Sequence, residues 1–517
     1  MLHDVAIVVV AAAFVVFGLQ AGATAAAMEI DDLTIADAHE AMSAGQLTAR
    51  RLVEFYVERI IAHDKRGASI NAILHINSKA LEEADRLDAQ FRASGFVGPL
   101  HGIPILLKDA IATNDMPTTG GSLSLQGFVP HNEATIVTKL KAAGAIILGK
   151  TNLDEFTFGT RGVSSLGGQT INPYDLTRNP AGSSGGSAAA VASNMAMAAL
   201  GTDTGSSIRF PASANSLVGV RGTVGLVSRA GIMPNSYTQD MGGPITRTTA
   251  DAAVILDVIA GYDPRDAATA WSTTNIPPSY KDTLHVEGLK GARIGVLRSF
   301  FGTDPSAADV NAVVQMAIET IARSGAAIVP LEDPFDIVKI GEMQVASHET
   351  THYFDKYLQE ENAPHTSLNS ILQSGEIAKE VEASIRNRLK LSMKDAQYTE
   401  RLLQRIELQN RLMKMMADQS LDAIVYPFSQ TLVGRIGEAQ ARHNGFLSAV
   451  TGFPAIVAPA GFSAPSDEAP IGVPVGIEFI GRPWSEATLL RIVYAFEQTS
   501  KARRPPASLQ CAQASCD

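Results

Sequence analysis

Cysteine is nearly absent: among 517 residues only Cys511 and Cys516 occur, both in the last seven. A disulfide-built core, a cysteine-rich zinc site and a cysteine nucleophile in the body of the chain are thereby excluded. Basic charge is also in deficit, with 42 Lys and Arg against 53 Asp and Glu and a formal net charge of −11. The chain has no surplus to build the basic face that phosphate backbones require, so no nucleic-acid partner is expected. Its 43 glycines and 25 prolines form no tract, which removes collagen-like and disordered classes. Long apolar runs are missing too, with one exception. Val5 to Leu19 is almost wholly apolar and is followed by the small-residue run Ala21 to Ala27. Such a run is short for a bilayer span, and no Lys or Arg precedes it, only His3 and Asp4. Ala23-Thr24-Ala25 and Ala25-Ala26-Ala27 both suit a small-x-small cleavage site. Residues 1–27 are therefore expected to be a secretory signal peptide, leaving a soluble periplasmic or secreted protein with no stable membrane association. In the tail 511–517, a Cys511–Cys516 disulfide and two idle thiols both remain open.

What is present points to an α/β architecture. Thr34-Ile35-Ala36-Asp37 has the form of a capping box ahead of a helix. Leu52, Tyr56 and Ile60, with Val53, Val57 and Ile61, recur at i+4 and predict an amphipathic helix. Short apolar runs then alternate with helical stretches: Ile103–Leu107, Ile146–Leu148, Ile294–Leu297, Ile328–Val329, Ile424–Tyr426, Ile456–Val457 and Ile477–Ile480. That alternation predicts a large, mostly buried sheet. Ser187 to Leu200, rich in Ala and Met, is expected to be one helix buried on nearly all sides. Residues 340–418 read as helical and more charged, an excursion placed to cover a cleft. No internal repeat or linker divides the chain, so 28–510 is expected to be a single domain.

Three groups of residues have the makings of an active site. His348-Glu349-Thr350-Thr351-His352 fits H-E-x-x-H, which on a helix would bind zinc through two histidines with Glu349 as base. A catalytic zinc also needs a third ligand, and the extended glycine-histidine pattern does not follow. Gly182-Ser183-Ser184-Gly185-Gly186 fits G-x-S-x-G with Ser184 as nucleophile, but Asn172-Pro173 and Asn179-Pro180 upstream are turn chemistry where a strand is required. No G-K-[ST] follows the glycines, so a phosphate loop is weaker still. His443 could supply a base, although nothing in the sequence ties it to that serine.

The third group joins distant segments. His101-Gly102-Ile103-Pro104-Ile105-Leu106-Leu107-Lys108-Asp109 sets a lysine at the end of an apolar run. Desolvation favours the neutral amine, which can act as a base near pH 7. Pro180 to Ser187 and Gly201-Thr202-Asp203-Thr204-Gly205-Ser206-Ser207-Ile208-Arg209-Phe210-Pro211 are loops of serine and small residues. Hydroxyls need such a base to become nucleophiles, and glycines beside a serine let backbone N–H groups approach a substrate oxygen. Singly, each piece has an ordinary reading as a snorkelling lysine, a flexible loop or a tight turn.

Together they resemble the amidase signature family of serine hydrolases, whose triad is Ser–cis-Ser–Lys. The resemblance rests on L-L-K-D at 106–109, G-S-S-G-G-S at 182–187 and G-T-D-T-G-S-S-I-R-F-P-A at 201–212. It extends over most of 30–505, with 340–418 least alike. Gly167-Gly168-Gln169-Thr170 and Ser236-Tyr237-Thr238-Gln239-Asp240 look most like bacterial peptide amidases and related aryl- or alkyl-amide hydrolases. The resemblance implies a large mixed central β-sheet with helices on both faces. It implies Ser207 as nucleophile, Ser183 as the bridging serine on a cis peptide bond and Lys108 as base. The N–H groups of Thr204, Gly205, Ser206 and Ser207 would form the oxyanion hole, with Asp203 and Arg209 bracing the loop. It implies a small-molecule or peptide amide substrate, ester and carbamate cleavage as side chemistry, and neither metal nor organic cofactor. The amidase component of a tRNA-dependent amidotransferase is the alternative within the family, and the leader speaks against it. Two departures stand out. Ser206 replaces a frequent glycine and would add bulk beside the scissile carbonyl, and Ala181 also replaces a glycine.

Overall fold

The computed structural model describes residues 30–331 and 335–509. The leader and both cysteines lie outside the described residues. Thirteen strands occur among them: β1 (Ile73–Ile76), β2 (Pro104–Lys108), β3 (Ile146–Thr151), β4 (Val163–Ser164), β5 (Gly168–Gln169), β6 (Ala198–Asp203), β7 (Val218–Arg221), β8 (Met241–Thr246), β9 (Arg293–Leu297), β10 (Ala327–Leu331), β11 (Ala423–Pro427), β12 (Ala455–Phe462) and β13 (Pro474–Ile480). All but the β4–β5 hairpin join one sheet in the order β1-β3-β2-β6-β8-β7-β12-β13-β11-β9-β10. Parallel pairs β3/β2/β6 and β10/β9/β11 form two wings around an antiparallel centre.

Successive strand residues face opposite sides of a sheet. Every residue of β2, β3, β6, β7, β8, β11 and β13 is nonetheless buried, so both faces must be covered. The expected mixed sheet with helices on both faces is what the chain forms. All seven apolar runs map onto strands, Ile103 alone standing one residue ahead of β2. Thr34 caps its helix with the reciprocal Asp37 bond of a capping box. The predicted amphipathic helix spans Ala49–His63.

One expectation is corrected. Ser187–Leu200 is not a single helix: the helix Gly185–Ala192 stops at Ser193, Asn194 turns with φ +55°, and β6 begins at Ala198. The Ala- and Met-rich composition satisfied burial, which a core strand needs as much as a core helix. Residues 340–418 contain helices and no strand, as expected: Ile337–Glu342, Ala346–Glu360, Leu368–Ser374, Lys379–Arg388 and Ala396–Asp418. Phe354, Leu358 and Ile371 of this region pack with Phe156 and Met233. No described helix is long and apolar enough to cross a membrane.

Candidate active site

Lys108 ends β2 and is wholly buried. Its Nζ donates to Ser183 Oγ at 2.6 Å and to Thr202 Oγ1 at 2.8 Å, with Thr202 O at 3.4 Å. Burial pushes the amine down from 10.5 to about 7, while the carboxylates of Asp154, Asp203 and Asp240 pull it back up. The lysine is thus poised to exist as free amine near neutral pH.

Ser183 sits on the segment before the helix Gly185–Ala192, and its bond to Gly182 is cis. A Cβ at Gly182 would lie 1.9 Å from Asp154 Oδ2, so only glycine fits. That carboxylate accepts from the N–H groups of Arg161 (2.8 Å) and Gly162 (2.7 Å), and Asp154 N–H donates to Ser183 O at 3.2 Å. Burial raises Asp154 to about 6. Ala181 adopts φ +61°, a left-handed conformation that explains why glycine suits this place. Ser184 Oγ is buried, accepts from Thr202 N–H at 3.3 Å and donates to Thr202 O at 3.2 Å. It braces Lys108's own partner, and the G-x-S-x-G reading with Ser184 as nucleophile does not hold. Ser184 N–H donates to Ser207 O at 3.1 Å, which fastens the Ser207 loop to the Ser183 segment.

In the loop 203–207 each carbonyl is tied back. Asp203 O accepts from Arg221 Nη1 (2.5 Å), Thr204 O from Gln239 Nε2 (3.2 Å) and Gly205 O from Arg209 Nη2 (3.1 Å). Ser206 O accepts from Phe210 N–H (2.7 Å), and Ser207 O from Ser184 N–H. Among the described residues, no protein group accepts from the N–H groups of Thr204, Gly205, Ser206 or Ser207. Ser207 is 7% exposed. The four donors are therefore fixed in place and available, the condition an oxyanion site requires.

Asp203 and Arg209 do brace the loop. Asp203 Oδ2 accepts from Arg209 Nε (3.0 Å) and Ile208 N–H (3.1 Å), and Oδ1 from Arg221 Nη1 (3.0 Å). Burial opposes the charge on Asp203, but the two guanidiniums prevail and hold its carboxyl well below the usual range. Arg209 also pairs with Glu478, and all four groups are fully buried.

Ser206 Oγ lies 3.4 Å from His443 Nε2, and the histidine packs among Phe210, Phe428 and Phe446. Burial lowers His443 to about 4, so it stays neutral. The side chain at 206 is engaged with this ring, which takes up the bulk expected beside the scissile carbonyl.

His348-Glu349-Thr350-Thr351-His352 is helical, as the motif requires, but its carboxylate is already occupied. Glu349 is buried and accepts from Ser236 Oγ (2.5 Å), Thr238 N–H (3.2 Å), Thr238 Oγ1 (2.8 Å) and Tyr398 Oη (2.9 Å). His348 is buried and His352 exposed, and no trio of His, Cys, Asp or Glu among the described residues could enclose a metal ion. The zinc-peptidase reading fails on that geometry. Sequence reasoning missed Thr202, Asp154, Arg221, Gln239, Asp240 and Glu478. Thr202 had a signal, since it precedes Asp203 inside the singled-out loop, and so had Gln239 and Asp240, which end the segment 236–240 noted for its resemblance. Arg221 lies in no segment singled out above, and Glu478 only in an apolar run read as a strand.

The mixed α/β fold thus buries a lysine against a serine beside a loop with four free N–H groups. The family model described as Amidase matches residues 51–490, and the chain belongs to that family of amide-cleaving enzymes. It is 37% identical to a component of the glutamyl-tRNA(Gln) amidotransferase of Chloroflexus aggregans, over 92% of this chain and 99% of the relative. It is 34% identical to a probable amidase of Arabidopsis thaliana, over 92% of each chain. The native peptide amidase of Stenotrophomonas maltophilia superposes with a TM-score of 0.84 at 36% identity, covering 92% of this chain and 98% of that one.

Proposed function

We propose that the chain hydrolyses linear carboxylic amides through a seryl acyl-enzyme, with Ser207 as nucleophile, Ser183 as proton relay and Lys108 as base. The observation that carries this reading is the 2.6 Å bond from a buried, easily neutralised Lys108 amine to Ser183 Oγ. Lys108 accepts the Ser183 proton as Ser183 takes that of Ser207, and the Ser207 oxygen forms a bond to the amide carbon. The carbonyl oxygen becomes an oxyanion against the N–H groups of residues 204–207; loss of one such donor typically costs about 2.7–4 kcal/mol. The proton returns by the same relay to the leaving nitrogen, the C–N bond breaks, and water attacking the ester by the mirror-image path frees the acid. Every step uses side chains and backbone of this chain.

As substrates we assign C-terminal peptide amides or aryl and alkyl amides. Support comes from the 36% identity to a peptide amidase over 92% of the chain. Residues 340–418 are read as the cover of the cleft, since Gln344 Oε1 comes within 3.2 Å of the Cβ position on Gly205. The leader at 1–27 supports export to the periplasm or medium, which cell fractionation with an Ala25→Arg, Ala27→Arg blocked form would test.

The similarity to an amidotransferase component favours one second reading: the acyl donor is a glutamine side chain and the released ammonia goes to a partner. The purified chain alone decides. Release of the leaving amine, ammonia from C-terminally amidated peptides and short aliphatic amides or aniline from anilides, abolished by Ser207→Ala without loss of folding, supports the proposal. Activity on free glutamine only would favour the second reading, and full activity of Ser207→Ala would refute the nucleophile.

A further inference from the structure

The segment 235–240 stands between the loop 203–207 and the helical region 340–418. Towards the loop it makes two bonds to one residue. Gln239 Nε2 holds Thr204 O at 3.2 Å, and Asp240 Oδ1 accepts from Thr204 Oγ1 at 2.6 Å. Asp240 Oδ2 also accepts from the N–H groups of Asn235 (2.8 Å) and Ser236 (2.7 Å), closing the segment on itself. On its far side the helices grip it. Val345 N–H donates to Gln239 Oε1 at 2.9 Å, and Thr350 Oγ1 donates to Asn235 Oδ1 at 2.8 Å. Glu349 receives Ser236 and Thr238 as described, and Arg405 reaches Thr238 Oγ1 (3.0 Å) and Thr238 O (3.1 Å).

Two features exceed what simple packing needs. Glu349 takes four donors on two oxygens, two on each, and does so inside the protein. Gln239 uses both ends of one carboxamide, one on Thr204 and one on the helix start at Val345. A fixed turn of backbone thus links helix Ala346–Glu360 to the first donor of the oxyanion loop.

We propose that Glu349 and Gln239 are positioning residues for the oxyanion loop, acting through Thr204. The motif that fits a zinc site is a clamp that sets the direction of the Thr204 and Gly205 N–H groups. This inference rests on the reading of Ser207 as nucleophile and of residues 204–207 as oxyanion donors. A donor aimed at a developing charge matters most in the transition state, so displacing it lowers kcat and spares KM.

The test uses the full chain with Gln239→Met, which keeps the side-chain length and removes both bonds, and Glu349→Ala. Each is measured for kcat and KM on an amidated peptide and for binding of a peptide aldehyde, whose hemiacetal places an oxyanion at the same donors. Both variants should lose about 10- to 100-fold in kcat, the scale of a misplaced catalytic group. Aldehyde affinity should fall in parallel, with KM within about twofold. Glu349→Gln, which keeps the shape and half the acceptors, should recover most of the loss. A folded Gln239→Met enzyme with normal kcat overturns the proposal, and so does a fall in kcat with aldehyde affinity intact. Should Glu349→Ala fail to fold, Gln239→Met decides alone. Ser207→Ala separates the two readings: if it still turns over substrate and binds the aldehyde tightly, the nucleophile assignment fails, whatever Gln239 does.

Discussion

Replacing Lys108 with methionine should abolish turnover and make the protein more stable at neutral pH. Burial moves the amine from 10.5 to about 7. At about 1.36 kcal/mol per unit, the folded state bears a burden of about 5 kcal/mol relative to an unfolded chain whose lysine is charged. The sign follows from proton counts. Between about pH 7 and pH 10.5 the unfolded chain holds the proton and the folded chain does not, so wild-type stability rises with pH across that window. Below it the burden is complete. Methionine has a similar length and no charge, so the burden disappears. The variant forfeits the Nζ bonds to Ser183 Oγ (2.6 Å) and Thr202 Oγ1 (2.8 Å), at about 1 kcal/mol each. Lys108→Met should therefore be more stable by about 3 kcal/mol at pH 7 and less stable by about 2 kcal/mol at pH 10.5. Urea denaturation of both proteins across that range measures the difference, and titrating groups not coupled to Lys108 cancel. A gap that stays constant with pH would mean that Lys108 titrates alike in both states. A lysine charged throughout the neutral range cannot accept a proton, and the base assignment would fall with it.

Two further outcomes follow from the same groups. The kcat/KM of the wild type should climb with pH, reach half its maximum near pH 7 where Lys108 loses its proton, and level off above; a flat profile contradicts the base. Asp203→Asn should destabilise the fold by about 3–5 kcal/mol, because Arg209 and Arg221 would share a neutral amide where both now meet a buried carboxylate. Denaturant midpoints measure this, and a loss below about 1 kcal/mol would show that Glu478 alone suffices to balance Arg209.

The legible parts of the sequence were those in which a side chain does local work. Lys108 stands 75 positions from Ser183 and 94 from Thr202; the runs around Lys108, Ser183 and Ser207 each have an ordinary reading alone, and their joint resemblance to one family is what brought them together. β2, β3, β9 and β13 announced themselves through branched aliphatic residues. β6 and β8 did not. β6 is Ala-Ala-Leu-Gly-Thr-Asp and β8 is Met-Gly-Gly-Pro-Ile-Thr, compositions of a helix and a turn. The reason is crowding: a Cβ at Gly243 would lie 2.3 Å from Val220 O on the neighbouring strand. Small residues there serve the close approach of strands, which no window of local sequence reveals. The helix–strand break at Ser193-Asn194 did carry a sign, since asparagine tolerates the left-handed turn that ends a helix. Gln239 as a partner of Thr204, and Glu349 as a partner of Ser236 and Thr238, were illegible because their order along the chain says nothing about the bridge they make.

The position of the Lys108 titration is itself a compromise that the neighbouring carboxylates set. Desolvation alone would depress the amine further and leave it a poor base, unable to hold a proton drawn from a hydroxyl. Asp154, Asp203 and Asp240 act against burial, and none of the three touches the amine. Asp203 is committed to two arginines, while Asp154 and Asp240 are themselves raised to about 6 by burial. As pH falls below about 6 these two protonate, their pull on Lys108 weakens, and the charged form of the amine is held less firmly. The coupling should broaden the acidic limb of the rate profile beyond that of a single group. Asp240→Asn should sharpen the limb and shift its midpoint downward. A wild-type limb with the slope of one independent proton would separate Lys108 from its carboxylate neighbours.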